Sequence, residues 1–449
     1  MKSDLFGLEN VYYTKGKGDY SNNLLKKIYE NGFSDYSKEG ISSYFTFRYP
    51  VLVNTMFKDY KRFDACSELK DDKPKTFFYP IFTEQQINEE EAINKSEELI
   101  LKAIEKLIKG KKRIGVMLSG GLDSSLVLAM LKKHFKGIEL YTYSCGFYGE
   151  DEFEYSDLVA KLFSDKHQKF ILGKDNFIGE NSILASLIKE KCAPLHPNEL
   201  PLAFAEHQAK LDCCDIILCG EGADDLFGGY GKNLRMYLNF DETKQNYVEY
   251  LLDNYRYFTQ DEVKKLIKDE YFVDDVELIK SVFEEPTCPK DVKNKMFYFI
   301  QRLHTKGLIE RGNNACKYNG LEAGFPFIDM DLLKFINTVP FDLKVKYKDG
   351  FSDENCADGD YREVSEKCDF PKYILKKVGE KYLPHDVIYR KKYGFPVPFA
   401  QWLGDINELT LNKKVFKTND ISFLNGWKKY MVINLNTFIS VFEKYRKGE

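Results

Sequence analysis

Between Glu84 and Gly110 apolar residues recur at helical spacing, with Ala92, Ile93, Leu99, Ile100, Leu101, Ile104 and Leu107 on one face. The pattern predicts an amphipathic helix, and its acidic start and lysine-rich end complement the helix dipole. From Arg113 the period changes. Short apolar runs at Arg113–Leu118, Ile138–Cys145, Lys169–Leu172 and Asp215–Cys219 read as strands, and Leu122–Phe135 and Tyr155–Phe163 read as helices. Strands alternating with helices predict an α/β fold, a parallel sheet with helices on both faces. Beyond Asp241 helical spacing takes over, at Tyr247–Phe258, Thr259–Lys268, Val292–Lys306 and Leu332–Asn337, so the C-terminal portion is expected to be mostly helical. Before Glu90 aromatic residues are frequent and helical period is poor. Tyr44–Arg48 and Val51–Phe57 read there as short strands, which predicts a short β-rich N-terminal region. No internal repeat and no low-complexity tract interrupts these textures. They divide the 449 residues into an N-terminal region, 1–88, and a larger unit, 89–449.

Composition narrows the function classes. Hydrophobic residues make up 43% and charged residues 30%, which excludes a disordered chain. Apolar stretches are a few residues long, against about 18 needed to cross a bilayer. Sixty-six Lys+Arg against 70 Asp+Glu give a net charge of −4, so neither nucleic acid nor a membrane surface is the expected partner. The first 20 residues carry no apolar leader, and a cytoplasmic location is expected. The ten cysteines include no CxxC pair, and the six histidines show no ligand spacing. Reduced thiols and structural histidines are the expectation.

Two loops carry the candidate chemistry. The first is Ser119-Gly120-Gly121-Leu122-Asp123-Ser124-Ser125, between the first core strand and a helix. A glycine-rich strand-to-helix turn aims backbone N–H groups, hydroxyls and a helix N-terminus at an anion, and Asp123 at its mouth can hold Mg²⁺. The Walker A spacing GxxxxGK[ST] is absent. The second is Cys219–Tyr230, CGEGADDLFGGY, at the carboxyl end of the Asp215–Cys219 strand. Open α/β sheets bind ligands at such ends.

The first loop resembles the SGGxDS "PP-loop" of ATP pyrophosphatases, whose adenine nucleotide α-hydrolase-like fold is then implied. The second resembles the GEGADELFGGY motif of asparagine synthetases, with Asp225 for the usual Glu. Three weaker stretches follow in family order. Gly320–Asp329 (GLEAGFPFID) is similar to LEARVPFLD with Gly324 for Arg. Pro371–Lys376 (PKYILK) is similar to GKxxLR with Lys376 for Arg. Arg390–Pro398 (RKKYGFPVP) is similar to RxKxGFxxP. Residues from Glu90 to Trp402 thus resemble the synthetase domain of the asparagine synthase superfamily.

The resemblance implies an amide-forming ligase using ATP and Mg²⁺. A substrate carboxylate attacks the α-phosphorus, pyrophosphate leaves, and an amine then displaces AMP from the acyl-adenylate. It assigns Mg²⁺ to Asp123 and Asp224. It assigns the pyrophosphate to Ser119, Gly120, Gly121, Ser124 and Ser125, and adenine to Leu118, Cys145 and the backbone of Cys219 and Gly220. Lys392 corresponds to the family lysine that faces the α-phosphate, and Glu221 to the base that takes a proton from ammonia. Gly324 puts aspartate itself in question as the acceptor.

Glutamine-dependent members carry a nucleophilic Cys after Met1, where this chain has Lys2. Neither Cys66 nor Cys145 stands in for it. Thr46–Phe63 resembles the tail of a glutaminase domain, so a vestigial glutaminase is expected. The amine then comes from free ammonia or from a separate glutaminase partner. Two other readings stay open: a specialised-metabolite synthetase using a larger or internal amine, as in β-lactam ring closure, and a non-catalytic scaffold.

Overall fold

A computed structural model describes residues 1–149, 151–179, 182–356, 360–390 and 397–447. In chain order its first strands are β1 (Tyr12–Thr14), β2 (Tyr20–Ser21), β3 (Tyr60–Arg62), β4 (Ser67–Lys70) and β5 (Lys73–Thr76). The central strands are β6 (Arg113–Met117), β7 (Glu139–Phe147), β8 (Lys166–Leu172), β9 (Ile216–Leu218) and β10 (Ala323–Gly324). These five form one sheet in the order β10-β9-β6-β7-β8, every pair parallel. The chain runs outward from β6 through β7 to β8, then returns to the other side of β6 as β9. The order therefore reverses between β6 and β9, and at such a switch point a crevice opens at the strands' carboxyl ends. Both motif loops leave from there.

Alternation along β9 shows why both faces are covered. Ile216 and Leu218 join a core with Ile114, Val116, Leu126, Val127, Met130, Ile100 and Ile104. Ile217 joins a second core on the opposite face, with Tyr143, Ala205, Ala209 and Cys316. Successive strand residues point to opposite faces, so a fully apolar strand is the signature of a sheet buried on both. The helix Glu89–Ile108 begins at Asn88, whose side chain accepts a hydrogen bond from the Glu91 amide, and buries Leu99, Ile100, Ala103 and Ile104. That matches the expectation from its spacing.

The long excursion between β9 and β10 is helical, as expected. One continuous run there comprises the helix Val292–Phe299, a π turn at Ile300–His304 and the helix Thr305–Tyr318. Thr259 caps the helix Gln260–Leu266 with a reciprocal capping box through Glu262.

The N-terminal region differs from its sequence reading. It does contain β1–β5, but Tyr44–Arg48 is no strand. Tyr44 to Phe47 form the last turn of the helix Lys38–Phe47, which Ser37 caps and Arg48 ends in the left-handed conformation, φ 69°. Val51–Phe57 forms only isolated bridges, Asn54 with Lys61 and Phe57 with Tyr36. The helix is buried from Gly40 to Phe47 on all sides. A helix without a polar face has no amphipathic period to read, and its aromatics mimic a strand. The aromatics Phe33, Tyr36, Tyr44, Phe45 and Phe57 belong to one core with the C-terminal helix Gly426–Phe442. The first and last parts of the chain are thus packed together.

Candidate active site

The β6 loop is shaped as an anion cradle. Gly120 has φ +70°, and a Cβ there would lie 2.6 Å from the Ser156 amide nitrogen. Only glycine meets both conditions. Gly121 precedes the helix Leu122–His134 without a side-chain cap, so the first N–H groups of that helix face the crevice unclaimed by a side chain. The Ser119 hydroxyl accepts from the Gly121 amide at 3.2 Å and lies 3.2 Å from the Ser124 hydroxyl. The Ser124 hydroxyl also accepts from the Ser119 amide at 3.2 Å. Ser125 is fully buried one residue further along.

The β9 loop comes close against it. A Cβ on Gly220 would sit 2.8 Å from the Ser124 amide nitrogen and 3.0 Å from the Asp123 Cβ. This contact brings Asp123 and Asp224 to the same place. The Lys372 Nζ donates to Asp123 Oδ1 and Oδ2 at 2.6 Å each and lies 2.7 Å from Asp224 Oδ1. Lys372 precedes the helix Tyr373–Gly379 and is itself left-handed, φ 56°. Burial opposes its charge, but Asp123 and then Asp224 outweigh burial and hold the ammonium well above the usual lysine range. Two carboxylates converging on one cation suit Mg²⁺, which takes oxygen ligands from one or two carboxylates and completes its shell with phosphate oxygens and water. Among the described residues no cluster of three or more His, Cys, Asp or Glu forms a closed metal cage.

Glu221 lies on the same loop. The Arg311 Nη2, from the helix Thr305–Tyr318, donates to its Oε1 at 3.1 Å. Around this pair are the buried Glu206 carboxyl, which meets the Cys316 thiol, and two buried nitrogens that lack hydrogen-bond partners among the described residues, the His196 Nε2 and the Arg311 Nε. The Asn198 amide donates to the His196 Nδ1 at 3.1 Å. Burial, with the positive charges of Arg48 and Arg311 beside it, pushes the His196 pKa well below its ordinary value. The imidazole is therefore neutral, and with Nδ1 accepting, its proton is on Nε2. Burial drives the Glu206 carboxyl well above the carboxylate range. The Cys316 thiol opposes that shift, and Glu221 and Glu199 reinforce it. Thr305 in turn donates to Asp225 Oδ1 at 2.6 Å, tying the β9 motif to the residue that follows the π turn. Such turns recur at functional sites.

Of the residues singled out in the sequence, Ser119, Gly120, Gly121, Asp123, Ser124, Gly220 and Asp224 meet in this crevice. Leu118, buried at the end of β6, donates its amide to the Tyr143 carbonyl at 2.8 Å. Cys145 lies on β7, its thiol 3.2 Å from the Pro201 carbonyl, and Cys219 is buried with its amide on the Gly324 carbonyl. Lys392 lies outside the described residues. Gly324 also answers to packing on β10. A Cβ there would meet Leu218 at 2.4 Å and Ile216 at 3.1 Å, so its small size serves core packing. Sequence reasoning missed Arg311, Glu206 and His196, which stand outside any motif. Lys372 lies within the PKYILK stretch, whose likeness to GKxxLR assigns it no role. All ten cysteines are free thiols. Among the described residues no helix is long and apolar enough to cross a membrane.

The family model for asparagine synthase matches residues 95–425. The glutamine-hydrolysing asparagine synthetase 1 of Bacillus subtilis is 23% identical, over 91% of this chain and 67% of its own length. Asparagine synthetase 3 of the same organism is 24% identical over 62% of this chain and 44% of its own. Asparagine synthetase 1 of Arabidopsis thaliana is 24% identical over 63% and 38%. The chain thus spans between roughly two fifths and two thirds of the length of these relatives. With a family match across most of its length, falling on both loops of the crevice, the chain belongs to the asparagine synthase family.

Proposed function

We propose that the protein is an ATP-dependent, AMP-forming amide ligase that adenylates a substrate carboxylate and transfers ammonia to it. The observation that carries this reading is the convergence of Asp123 and Asp224 on one cation beside the serine-lined turn. An anion attacking a polyanion needs positioned positive charge and N–H dipoles, and the crevice gathers both. Ser119, Ser124, Ser125 and the amides of Gly120 and Gly121 receive the pyrophosphate. Asp123 and Asp224 hold Mg²⁺, which when bound neutralises the phosphate charge. Leu118, Cys145 and the backbone of Cys219 and Gly220 line the adenine. Lys392 faces the α-phosphate in this reading.

Glu221 accepts the amine proton as the amide forms, with Arg311 holding its Oε1. Any neutral amine, ammonia included, loses one proton in forming an amide, and a carboxylate can take it; ammonia is preferred to ring closure because Glu221 stands in a motif like that of asparagine synthetases. Residues 1–88 are read as a glutaminase-like remnant and residues 89–449 as the synthetase unit. Ammonia is then free or supplied by a separate glutaminase, and the protein works in the cytoplasm.

The test is pyrophosphate release from ATP across a panel of carboxylates, with ammonium or glutamine as the nitrogen source. Release and amide formation are expected with ammonium and not with glutamine. Asp123→Asn and Asp224→Asn should each lower release by roughly 10²-fold or more, the scale of losing one preorganised charge contact. Full release by both variants would overturn the assignment of the crevice. Glutamate formed from glutamine by the pure chain would overturn the ammonia reading.

A further inference from the structure

Lys372 stands where the proposed chemistry wants a metal. Its ammonium is within 2.6–2.7 Å of three oxygens on Asp123 and Asp224, and its side chain is 7% exposed. The enclosure is tight. A Cβ on Gly229 would fall 1.7 Å from Asp224 Oδ1 and 2.3 Å from the Lys372 Cε, so backbone closes one side of the cluster. The backbone of Lys372 is left-handed, a conformation a non-glycine residue adopts only when its surroundings hold it.

We infer that Lys372 is an internal counter-ion that exchanges with the divalent cation. Without nucleotide, its ammonium holds Asp123 and Asp224 in register. When ATP brings a divalent cation, Lys372 yields the two carboxylates and its charge becomes available to the polyphosphate. The charge balance explains the coupling. Two carboxylates already paired with a buried ammonium offer a bare hydrated cation little, because it must displace that ammonium and leave it without a partner. A cation arriving with a polyphosphate supplies both its own remaining ligands and an anion to receive the displaced lysine. The lysine thereby makes metal binding depend on nucleotide. This inference rests on the proposed role of Asp123 and Asp224.

Binding of Mn²⁺ to the full chain, followed by electron paramagnetic resonance, tests it without turnover. Wild type should bind Mn²⁺ weakly alone and well with an ATP analogue that resists α,β-cleavage. Lys372→Met removes the internal cation, so Mn²⁺ alone should bind roughly tenfold or more tightly than to wild type. Mn²⁺ should also raise the melting temperature of the variant much more than that of wild type, because binding to the folded state alone stabilises it. Lys372→Arg keeps the charge and should stay weak. Asp123→Asn added to Lys372→Met should remove the gain. Lys372→Gln, which keeps a polar group over the carboxylates, serves with the same two outcomes if the Met variant is too unstable to titrate. Equal Mn²⁺ affinity in wild type and the neutral variants, with wild type still binding Mn²⁺ and the analogue together, overturns the exchange and leaves the proposed function standing. Failure of wild type to bind Mn²⁺ even with the analogue overturns both.

Discussion

Glu206 shows how far a single side chain can depart from what its type suggests. It is fully buried on the helix Glu199–Leu211, with the Cys316 thiol as its hydrogen-bonding neighbour. Burial raises its pKa well above the ordinary value of 4.5, so the folded chain holds this proton more tightly than the unfolded chain does. The sign of the linkage follows. Protonated, the carboxyl has no charge to desolvate, so there is no charge-linked loss below about pH 4.5, and stability is lost as pH rises from there through the raised folded value. Glu206→Gln stays neutral throughout. Its stability advantage over wild type should therefore grow as pH rises above about 4.5, as read from denaturant midpoints. Parallel pH profiles for the two proteins would show that the carboxyl is not held protonated. At this scale the sequence was uneven. The places of Asp123, Asp224 and Glu221 in the crevice were legible because each sits in a short contiguous motif at the carboxyl end of a strand. Glu206, His196 and Arg311 were not, because their surroundings come from long-range neighbours. Arg311 reaches Glu221 across 90 residues of chain.

The elements that make the site are two parallel strands and the loops after them. Their alternation with helices was readable from short apolar runs, since a strand buried on both faces has no polar positions to confuse it. The order β10-β9-β6-β7-β8 was not readable, because sequence neighbours do not reveal where a chain doubles back. The close approach of the two loops depends on Gly220, whose absent side chain leaves 2.8 Å to the Ser124 amide from where a Cβ would stand. Gly220→Ala must push the loops apart at that point. Overpacking of this kind costs about 1–3 kcal/mol. The strain falls where the nucleotide is expected to bind, so ATP affinity by calorimetry should drop roughly tenfold or more. Unchanged affinity would mean that the loops part freely. The N-terminal helix Lys38–Phe47 was misread for a definite reason. Period reports a boundary between core and water, and this helix has no such boundary.

The molecule as a whole joins its two ends. Phe57, from the N-terminal region, lies 4.8 Å from Phe33, 5.5 Å from Phe438 and 5.1 Å from Phe442 between ring centroids. The same core takes in Phe177, Phe399 and Tyr430, and both tryptophans, Trp402 and Trp427, pack against it. Trp402 lies 5.2 Å from Phe177, and Trp427 lies 5.0 Å from Phe399. Tryptophan fluorescence therefore reports on the C-terminal side of a core that the N-terminal region helps to build. Phe57→Ala removes a fully buried ring, a change that costs about 3–5 kcal/mol where the cavity does not collapse. If the shared core is one cooperative unit, that loss must appear in the tryptophan signal although, among the described residues, Phe57 forms its ring pairs with Phe33, Tyr60, Phe438 and Phe442 rather than with an indole. A single unfolding transition is expected, displaced to lower denaturant by the full amount and coincident with the loss of helical circular dichroism. Were residues 1–88 to fold separately, Phe57→Ala would leave the tryptophan transition where it is in wild type. An earlier step would then split off in the circular dichroism alone. The coincident shift is what the aromatic contacts require, because no apolar boundary separates the N-terminal rings from the helix Gly426–Phe442 they pack against.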